Sequence, residues 1–150
     1  MSQKMTVIFL LGVFIFSACG SPGSIEILET PTNEWRIVFV HSGGFAGLMR
    51  ALEISSDGSY TLKDERTNFT KSGQITDNEL ADLSRILVGI NYVPQTKPTG
   101  CADCFVYDIQ VTGGGNEFFA RVDDVNIDDS GLRLLVSALR EIMDRELRSQ

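Results

Sequence analysis

Apolar and polar residues alternate along several short stretches of the chain, which is the pattern of a strand with one buried face. Six segments show this alternation or the β-branched and aromatic composition of strands: Trp35–His41, Leu48–Ser55, Tyr60–Arg66, Phe69–Ile75, Phe105–Thr112 and Glu117–Val122. Turn residues at Ser56–Ser59 and Gly113–Asn116 join neighbouring segments. Such short turns predict hairpins, and hairpins predict an antiparallel sheet.

Two later stretches change to helical spacing, with apolar residues three and four positions apart. The first follows a capping box at Thr76–Glu79, and its apolar stripe is Leu80, Leu83, Ile86, Leu87 and Ile90. The second follows Asp128, Asp129 and Ser130, which we expect to cap its start. Its stripe is Leu132, Leu135, Val136, Leu139, Ile142, Met143 and Leu147.

The order of strands, helix, strands and helix predicts an α+β fold, an antiparallel sheet of hairpins with two helices packed on one face. A proline-containing loop from Asn91 to Cys104 connects the first helix to the next hairpin. The apolar patch at Ile25–Leu28 is a candidate for a short additional edge strand.

The first 18 residues have the character of an export signal. Lys4 precedes an apolar run of 12 residues, Met5 to Phe16, and Ser17-Ala18-Cys19 follows. A membrane-spanning helix needs about 20 apolar residues, so a transmembrane anchor fits less well. Plain secretion is the other alternative. The segment resembles a bacterial lipoprotein signal. That resemblance implies cleavage before Cys19, lipidation of Cys19, and an extracytoplasmic protein anchored to the cell membrane or outer membrane.

Composition limits the partners of the remaining chain. Residues 19–34 hold prolines, glycines and polar residues and predict a tether, which leaves 35–150 as one domain of ordinary size. The formal net charge of the full chain is −7, and removal of Lys4 with the signal makes it −8. An acidic domain is a poor partner for nucleic acid or anionic lipid headgroups, so membrane attachment would depend on acyl chains.

The residues needed for catalysis are scarce. His41 is the single histidine, and it adjoins Ser42. Neighbouring side chains on a strand point to opposite faces, which disfavours a Ser-His dyad. We interpret His41 as a polar residue near a strand end, with a catalytic role as the alternative, and predict that the protein is not an enzyme. Metal sites built on several histidines are excluded by count.

Cys101 and Cys104 form a C-x-x-C pair, for which three interpretations stay open. In an oxidising compartment the pair would form a small structural disulfide. A redox pair would instead lie at a helix N-terminus, whereas this one precedes a predicted strand. A zinc site would need two further ligands.

A calcium loop is the remaining metal candidate. Asp124, Asn126 and Asp128 match its first ligands, but Asp129 and Leu135 occupy the positions of the required glycine and bidentate glutamate. We therefore predict a solvated loop, with no metal and no cofactor.

The glycine-rich segment Ser42–Gly47, SGGFAG, is the most informative internal motif. It lacks the lysine of a P-loop and the spacing of a dinucleotide fingerprint. One interpretation is a wide hairpin loop with Phe45 folded back onto the core. The other is a presented aromatic anchor, because flanking glycines allow close backbone approach by a partner.

Four segments of the chain resemble the emfourin family of inhibitors of thermolysin-like (M4) metalloproteases. They are Arg36–Leu48, Glu79–Tyr92, Gly100–Val111 and Leu132–Leu139, within a likeness that runs from Trp35 to Leu147. The resemblance implies an inhibitor domain whose segments near Ser42–Leu48 fill the protease cleft, with Ser42 among the contact residues. Phe45 and Leu48 would contact its pockets, while Gly43 and Gly44 shape the loop. This chain differs in its lipoprotein signal, its hairpin at Asp57–Ile75, and its cysteines at 101 and 104.

The sequence thus predicts a membrane-anchored, extracytoplasmic binding protein whose partner is a metalloprotease. The alternative is a non-catalytic envelope lipoprotein that binds another protein or has a structural role. A thiol-disulfide enzyme acting through Cys101 and Cys104 is the third hypothesis.

Overall fold

The computed structural model describes residues 25–26, 34–95 and 99–149. The signal at 1–18 and Cys19 lie outside these residues, and of the tether only residues 25–26 and 34 are described. No helix in the described ranges has the length and hydropathy of a membrane span. The elements in chain order are β1 (Ile25–Glu26), β2 (Trp35–Gly43), β3 (Leu48–Ser55), β4 (Ser59–Asp64), β5 (Phe69–Gln74), α1 (Asp77–Gly89), β6 (Asn91–Tyr92), β7 (Phe105–Gly113), β8 (Asn116–Asp123), α2 (Ile127–Ser130) and α3 (Arg133–Arg148).

Six strands form one antiparallel sheet in the order β5-β4-β3-β2-β7-β8. The predicted α+β class and antiparallel sheet are confirmed. A second, two-stranded sheet pairs Ile25 with Tyr92 and Glu26 with Asn91. The loop predicted from Asn91 to Cys104 therefore begins with a short strand, which pairs with the apolar patch near the N-terminus.

One face of the six-stranded sheet carries the core. Alternate residues of β2 (Trp35, Ile37, Phe39 and His41) are buried, and the residues between them lie on the other face. Helix α1 contributes Leu83 and Leu87 to the same cluster, and α3 contributes Leu135, Val136, Leu139, Ile142 and Met143. Polar contacts also join α3 to this face, since Arg140 donates to the Tyr107 hydroxyl at 3.3 Å. The opposite face carries exposed residues such as Phe119 and Arg121.

The capping box at the start of α1 has the expected geometry. The backbone N–H of Glu79 donates to the Thr76 hydroxyl oxygen at 3.3 Å, and the N–H of Thr76 donates to the Glu79 carboxylate at 2.9 Å. The last helix begins later than predicted. Gly131, at φ 77°, ends the four-residue helix α2, and α3 starts at Arg133. Asp128 and Asp129 therefore belong to α2 and do not cap α3, whose start has no side-chain cap.

Strand β4 also ends two residues before the predicted boundary, at Asp64. The Asp64 carboxylate accepts hydrogen bonds from the backbone N–H groups of Arg66 and Thr67 at 3.0 and 3.3 Å. A side chain that satisfies the backbone two and three residues ahead favours a turn over continuation of the strand.

Candidate functional site

The β2–β3 hairpin brings the sequence-predicted loop residues together at one end of the sheet. Gly43 pairs with Leu48 as the last pair of the ladder, and Ser42 pairs with Met49. The connecting turn is closed by a hydrogen bond from the Gly47 N–H to the Gly44 carbonyl at 3.0 Å. Phe45 lies in this turn with 97% of its surface exposed, so its side chain is presented to solvent and is not folded back onto the core.

Two glycines of this hairpin have no room for a side chain. Gly43 has φ 91°, and a Cβ there would lie 2.5 Å from the Cys104 carbonyl oxygen. Gly44 has φ 67°, and its Cβ would lie 2.5 Å from Cε1 of Phe105. Both the left-handed backbone and the close approach require glycine. The loop is therefore packed directly against the start of β7.

The disulfide between Cys101 and Cys104, with Cα atoms 5.6 Å apart, supports the hairpin from the side. The N–H of Gly44 donates to the carbonyl oxygen of Cys104 at 3.1 Å. Within the described ranges, no group of three or more histidine, cysteine or acidic side chains is arranged to hold a metal ion. The disulfide thus holds in place the Cys104 carbonyl group, which accepts the hydrogen bond from the Gly44 N–H of the Phe45 loop.

Asp124 anchors the first residues of β7 beneath the loop. Its carboxylate accepts from the backbone N–H of Phe105 at 2.9 Å and from the Tyr107 hydroxyl at 2.7 Å. Burial and this hydrogen bond raise the pKa of Tyr107 to about 12.

The other residues of the calcium-loop match have their own bonding partners within the protein. The side-chain oxygen of Asn126 accepts from the Asp123 N–H at 2.8 Å, and Asp128 pairs with Arg133. The three residues therefore serve separate local contacts and do not converge on one point.

His41 has a different environment from the one expected. It is only 3% exposed, because it continues the buried face of β2 two residues after Phe39. Its ring lies 4.9 Å from the Phe105 ring and 5.1 Å from the Tyr107 ring, and neither nitrogen has a hydrogen-bond partner among the described residues. Burial, assisted by the charges of Arg140 and Arg50, lowers the pKa of His41 to about 4. The Phe105 ring lies against both His41 and Gly44, so Phe105 is the residue that separates His41 from the Phe45 loop.

Sequence reasoning missed three parts of this site. They are the outward-facing Met49, which is 42% exposed and pairs with Ser42, the carbonyl group of Cys104, and the carboxylate of Asp124. Met49 was detectable from strand alternation, since Leu52 and Ile54 on β3 are predicted to point inward. The Cys104 and Asp124 contacts join distant segments and carry no local signal.

In comparisons with known proteins, no protein-family model and no curated protein matches the chain.

Proposed function

We propose that this protein is a membrane-anchored extracytoplasmic inhibitor of a thermolysin-like metalloprotease, and that Phe45 is its anchor in the protease cleft. The observation that carries the proposal is the 97% exposure of Phe45 on a turn of fixed geometry. A lone exposed aromatic ring is ordinary on a protein surface. What distinguishes this one is the support beneath it, since Gly43, Gly44 and Cys104 hold its backbone in place.

A preorganised loop suits an inhibitor on energetic grounds. Binding orders side chains and loops, and an anchor that is already ordered avoids much of that entropy loss. Aromatic residues that fill pockets dominate the binding free energy of many interfaces. The closing bond from Gly47 to Gly44 and the bond from Gly44 to Cys104 restrict the turn before any partner arrives.

The resemblance to the emfourin family supplies the identity of the proposed partner. Proteases of the thermolysin type favour large apolar side chains just after the scissile bond, and Phe45 presents such a group. Leu48 and Met49 begin strand β3 at the same end of the sheet, where their side chains point to opposite faces. One of them can therefore extend the contact along the cleft, and the resemblance assigns that role to Leu48.

The position of the loop is compatible with the proposed lipid anchor at Cys19. Strand β2 begins at Trp35, next to the tether, and runs nine residues to Gly43. At about 3.3 Å per residue, this separates the loop from Trp35 by about 30 Å. The tether is held to the domain before that point, where Ile25 and Glu26 pair with β6. We expect a lipid at Cys19, which precedes both points in the chain, to leave the Phe45 loop accessible to a protease.

An inhibition assay tests the proposal. The chain from Gly20 to Gln150 contains every residue that the structure describes, so it retains the whole core cluster. We expect it to inhibit a thermolysin-like protease with an inhibition constant below about 1 µM, a typical strength for a specific protein interface, competitively with a peptide substrate. A zinc protease of another family serves as the control. Absence of inhibition at tens of micromolar would contradict the proposal.

A second candidate is an envelope lipoprotein that binds another protein or has a structural role. Phe119, which is 63% exposed on the open face of the sheet, favours it because this residue lies on the edge strand β8, whereas Phe45 lies in the turn between β2 and β3. Pull-down from membranes distinguishes the two candidates. Partners that survive Phe45→Ala but are lost in Phe119→Ala would support the second.

A further inference from the structure

Strand β8 is one edge of the six-stranded sheet, and it pairs only with β7 among the described residues. An exposed edge offers unpaired N–H and C=O groups to another strand, and natural proteins usually protect such edges. The middle of β8 instead carries Phe119, 63% exposed, between Glu117 and Arg121 on the same face. The edge is thus apolar at its centre and oppositely charged on its two sides.

The backbone N–H and C=O groups of these three residues point to the free edge, away from β7. The Asp124 N–H donates to the Phe105 carbonyl at 3.3 Å, so these two residues occupy a hydrogen-bonded position of the ladder, where the Phe105 N–H is taken by the Asp124 side chain. Hydrogen-bonded and non-bonded pairs alternate along an antiparallel ladder. Counting back in steps of two, the bonded residues are Val122, Ala120, Phe118 and Asn116. Glu117, Phe119 and Arg121 therefore direct their N–H and C=O groups to the free edge.

The sequence of this edge is complementary to itself. When two copies of β8 pair antiparallel with Phe119 opposite Phe119, Glu117 of each copy lies opposite Arg121 of the other. Opposite charges and aromatic pairs directly across a ladder stabilise antiparallel strands, by about 0.2–1 kcal/mol each. The same register joins the outward backbone groups of all three positions. It places two oppositely charged pairs around a central aromatic pair.

Both charged residues already have a contact within the protein, and the proposed pairs would add to it or replace it. Glu117 accepts a hydrogen bond from the neutral amide of Gln110, and Arg121 forms an ion pair with Asp108 at 3.5 Å while 65% of its side chain stays exposed. The other edge of the sheet lacks such a pattern. The outward-facing residues of β5 are Thr70, Ser72 and Gln74, which are uncharged.

We propose that a second copy of this chain docks on the β8 edge, in the register that places Phe119 opposite Phe119. The result is a two-fold symmetric dimer in which the two six-stranded sheets become continuous. The Phe45 loop lies at the end of the sheet where β2 ends. The two-fold axis therefore places the two Phe45 loops of the dimer at opposite ends of the joined sheet. This proposal is independent of protease inhibition.

Cysteine cross-linking in the full-length chain tests the register. Phe119→Cys places two thiols across the two-fold axis, where opposed Cα atoms lie about 5.5 Å apart, within the range of a disulfide. We expect most of this variant to migrate as a disulfide-linked dimer on a non-reducing gel. Glu117→Cys and Arg121→Cys singly should give at least tenfold less dimer, and the two changes combined should restore it. The unaltered chain measures any background from Cys19.

Charge reversal in the Phe119→Cys chain tests the ion pairs. Arg121→Glu alone should lower the cross-linked fraction several-fold, and adding Glu117→Arg should restore it. These residues are exposed, so circular dichroism should show an unchanged fold. Cross-linking of Phe119→Cys no stronger than that of the single control variants would overturn the proposal. So would equal cross-linking with and without the charge reversal.

Discussion

The Tyr60 hydroxyl donates a hydrogen bond to the Glu146 carboxylate at 2.6 Å, across 86 positions of sequence. The same carboxylate accepts from the Lys71 ammonium at 2.7 Å and from Arg145. One acidic side chain of α3 is therefore bonded to β4, β5 and its own helix. Burial opposes ionisation of Glu146, but these donors outweigh it and lower the pKa of Glu146 to about 2.

This network predicts a loss of stability on removal of Glu146. Glu146→Ala leaves Lys71 and Tyr60 without their common acceptor, and we expect the free energy of unfolding to fall by about 2–3 kcal/mol. Urea denaturation of the chain from Gly20 measures it. Glu141→Ala, an exposed carboxylate on the same helix, is the matched control and should change stability by less than about 0.5 kcal/mol. Equal effects of the two changes would contradict the assigned role.

The lowered pKa of Glu146 also predicts that stability depends on pH in the acidic range. The ordinary pKa of Glu146 is 4.5, and its folded value is about 2. Between these values the unfolded chain binds a proton that the folded chain does not, so stability is lost as the pH falls from about 4.5 towards 2. Urea midpoints over this range should fall less steeply in Glu146→Gln than in the unaltered chain. Parallel curves for the two proteins would exclude the effect.

The lowered pKa of His41 predicts a second pH range in which stability changes, above the range of Glu146. Its folded pKa is about 4 against an ordinary 6.5, so the unfolded chain takes up a proton first and stability falls as the pH drops from about 6.5 to 4. The charged groups that act on it are Arg50 on β3, Arg140 and Asp144 on α3, and Asp124 beside β7. His41→Leu removes two buried nitrogens that have no hydrogen-bond partner in the part of the chain that the structure describes. We expect this variant to be at least as stable at pH 7 and to lose the pH dependence in that window.

Two glycines of the Phe45 hairpin give a matched pair of variants. Both Gly44 and Gly47 have positive φ, at 67° and 62°, but only Gly44 faces a neighbouring side chain. Gly47→Ala should cost about 1–2 kcal/mol from backbone strain alone. Gly44→Ala adds a clash with the Phe105 ring and should cost about 1–3 kcal/mol more. Thermal denaturation measures both, and equal costs would mean that the loop is not packed on β7 as described.

Removal of the disulfide should lower the free energy of unfolding only modestly, but it should loosen the Phe45 loop. Cys101→Ser with Cys104→Ser opens a short ring, whose closure contributes about 1–2 kcal/mol by the loop-entropy relation. Because Cys104 supplies the acceptor of the Gly44 N–H, hydrogen exchange of that amide should accelerate. The amide of Leu52, at the centre of the sheet, is the internal control. Unchanged exchange at Gly44 would show that the disulfide does not support the loop.

Local patterns predict most of the fold. Alternation and turn chemistry place six strands, and the capping box and apolar spacing place α1, because these signals act within a few residues. The start of α3 is predicted wrongly, since acidic residues before an apolar stripe look like a cap whether or not a glycine such as Gly131 intervenes. Strand β6 is missed because two residues carry too little pattern, and its partner β1 is distant in sequence.

The candidate site is predicted in part for the same reason. The glycines and Phe45 are adjacent in sequence, so the motif identifies the loop. The burial of His41, the carbonyl of Cys104 and the carboxylate of Asp124 depend on how β2, β7 and β8 meet. Such contacts follow from tertiary packing and leave no trace in a short window of sequence.

The ratio of inhibition constants between Phe45→Ala and Phe119→Ala tests the central claim most directly. Both changes remove an exposed phenylalanine ring, one from the hairpin and one from the open face of the sheet. If Phe45 fills a pocket of a thermolysin-like protease, its removal should raise the inhibition constant at least about 30-fold, the effect of an interface hot spot of about 2 kcal/mol. Phe119→Ala should leave it within about threefold of the unaltered chain, as expected for a residue outside the contact. Inhibition that survives Phe45→Ala unchanged would contradict the account.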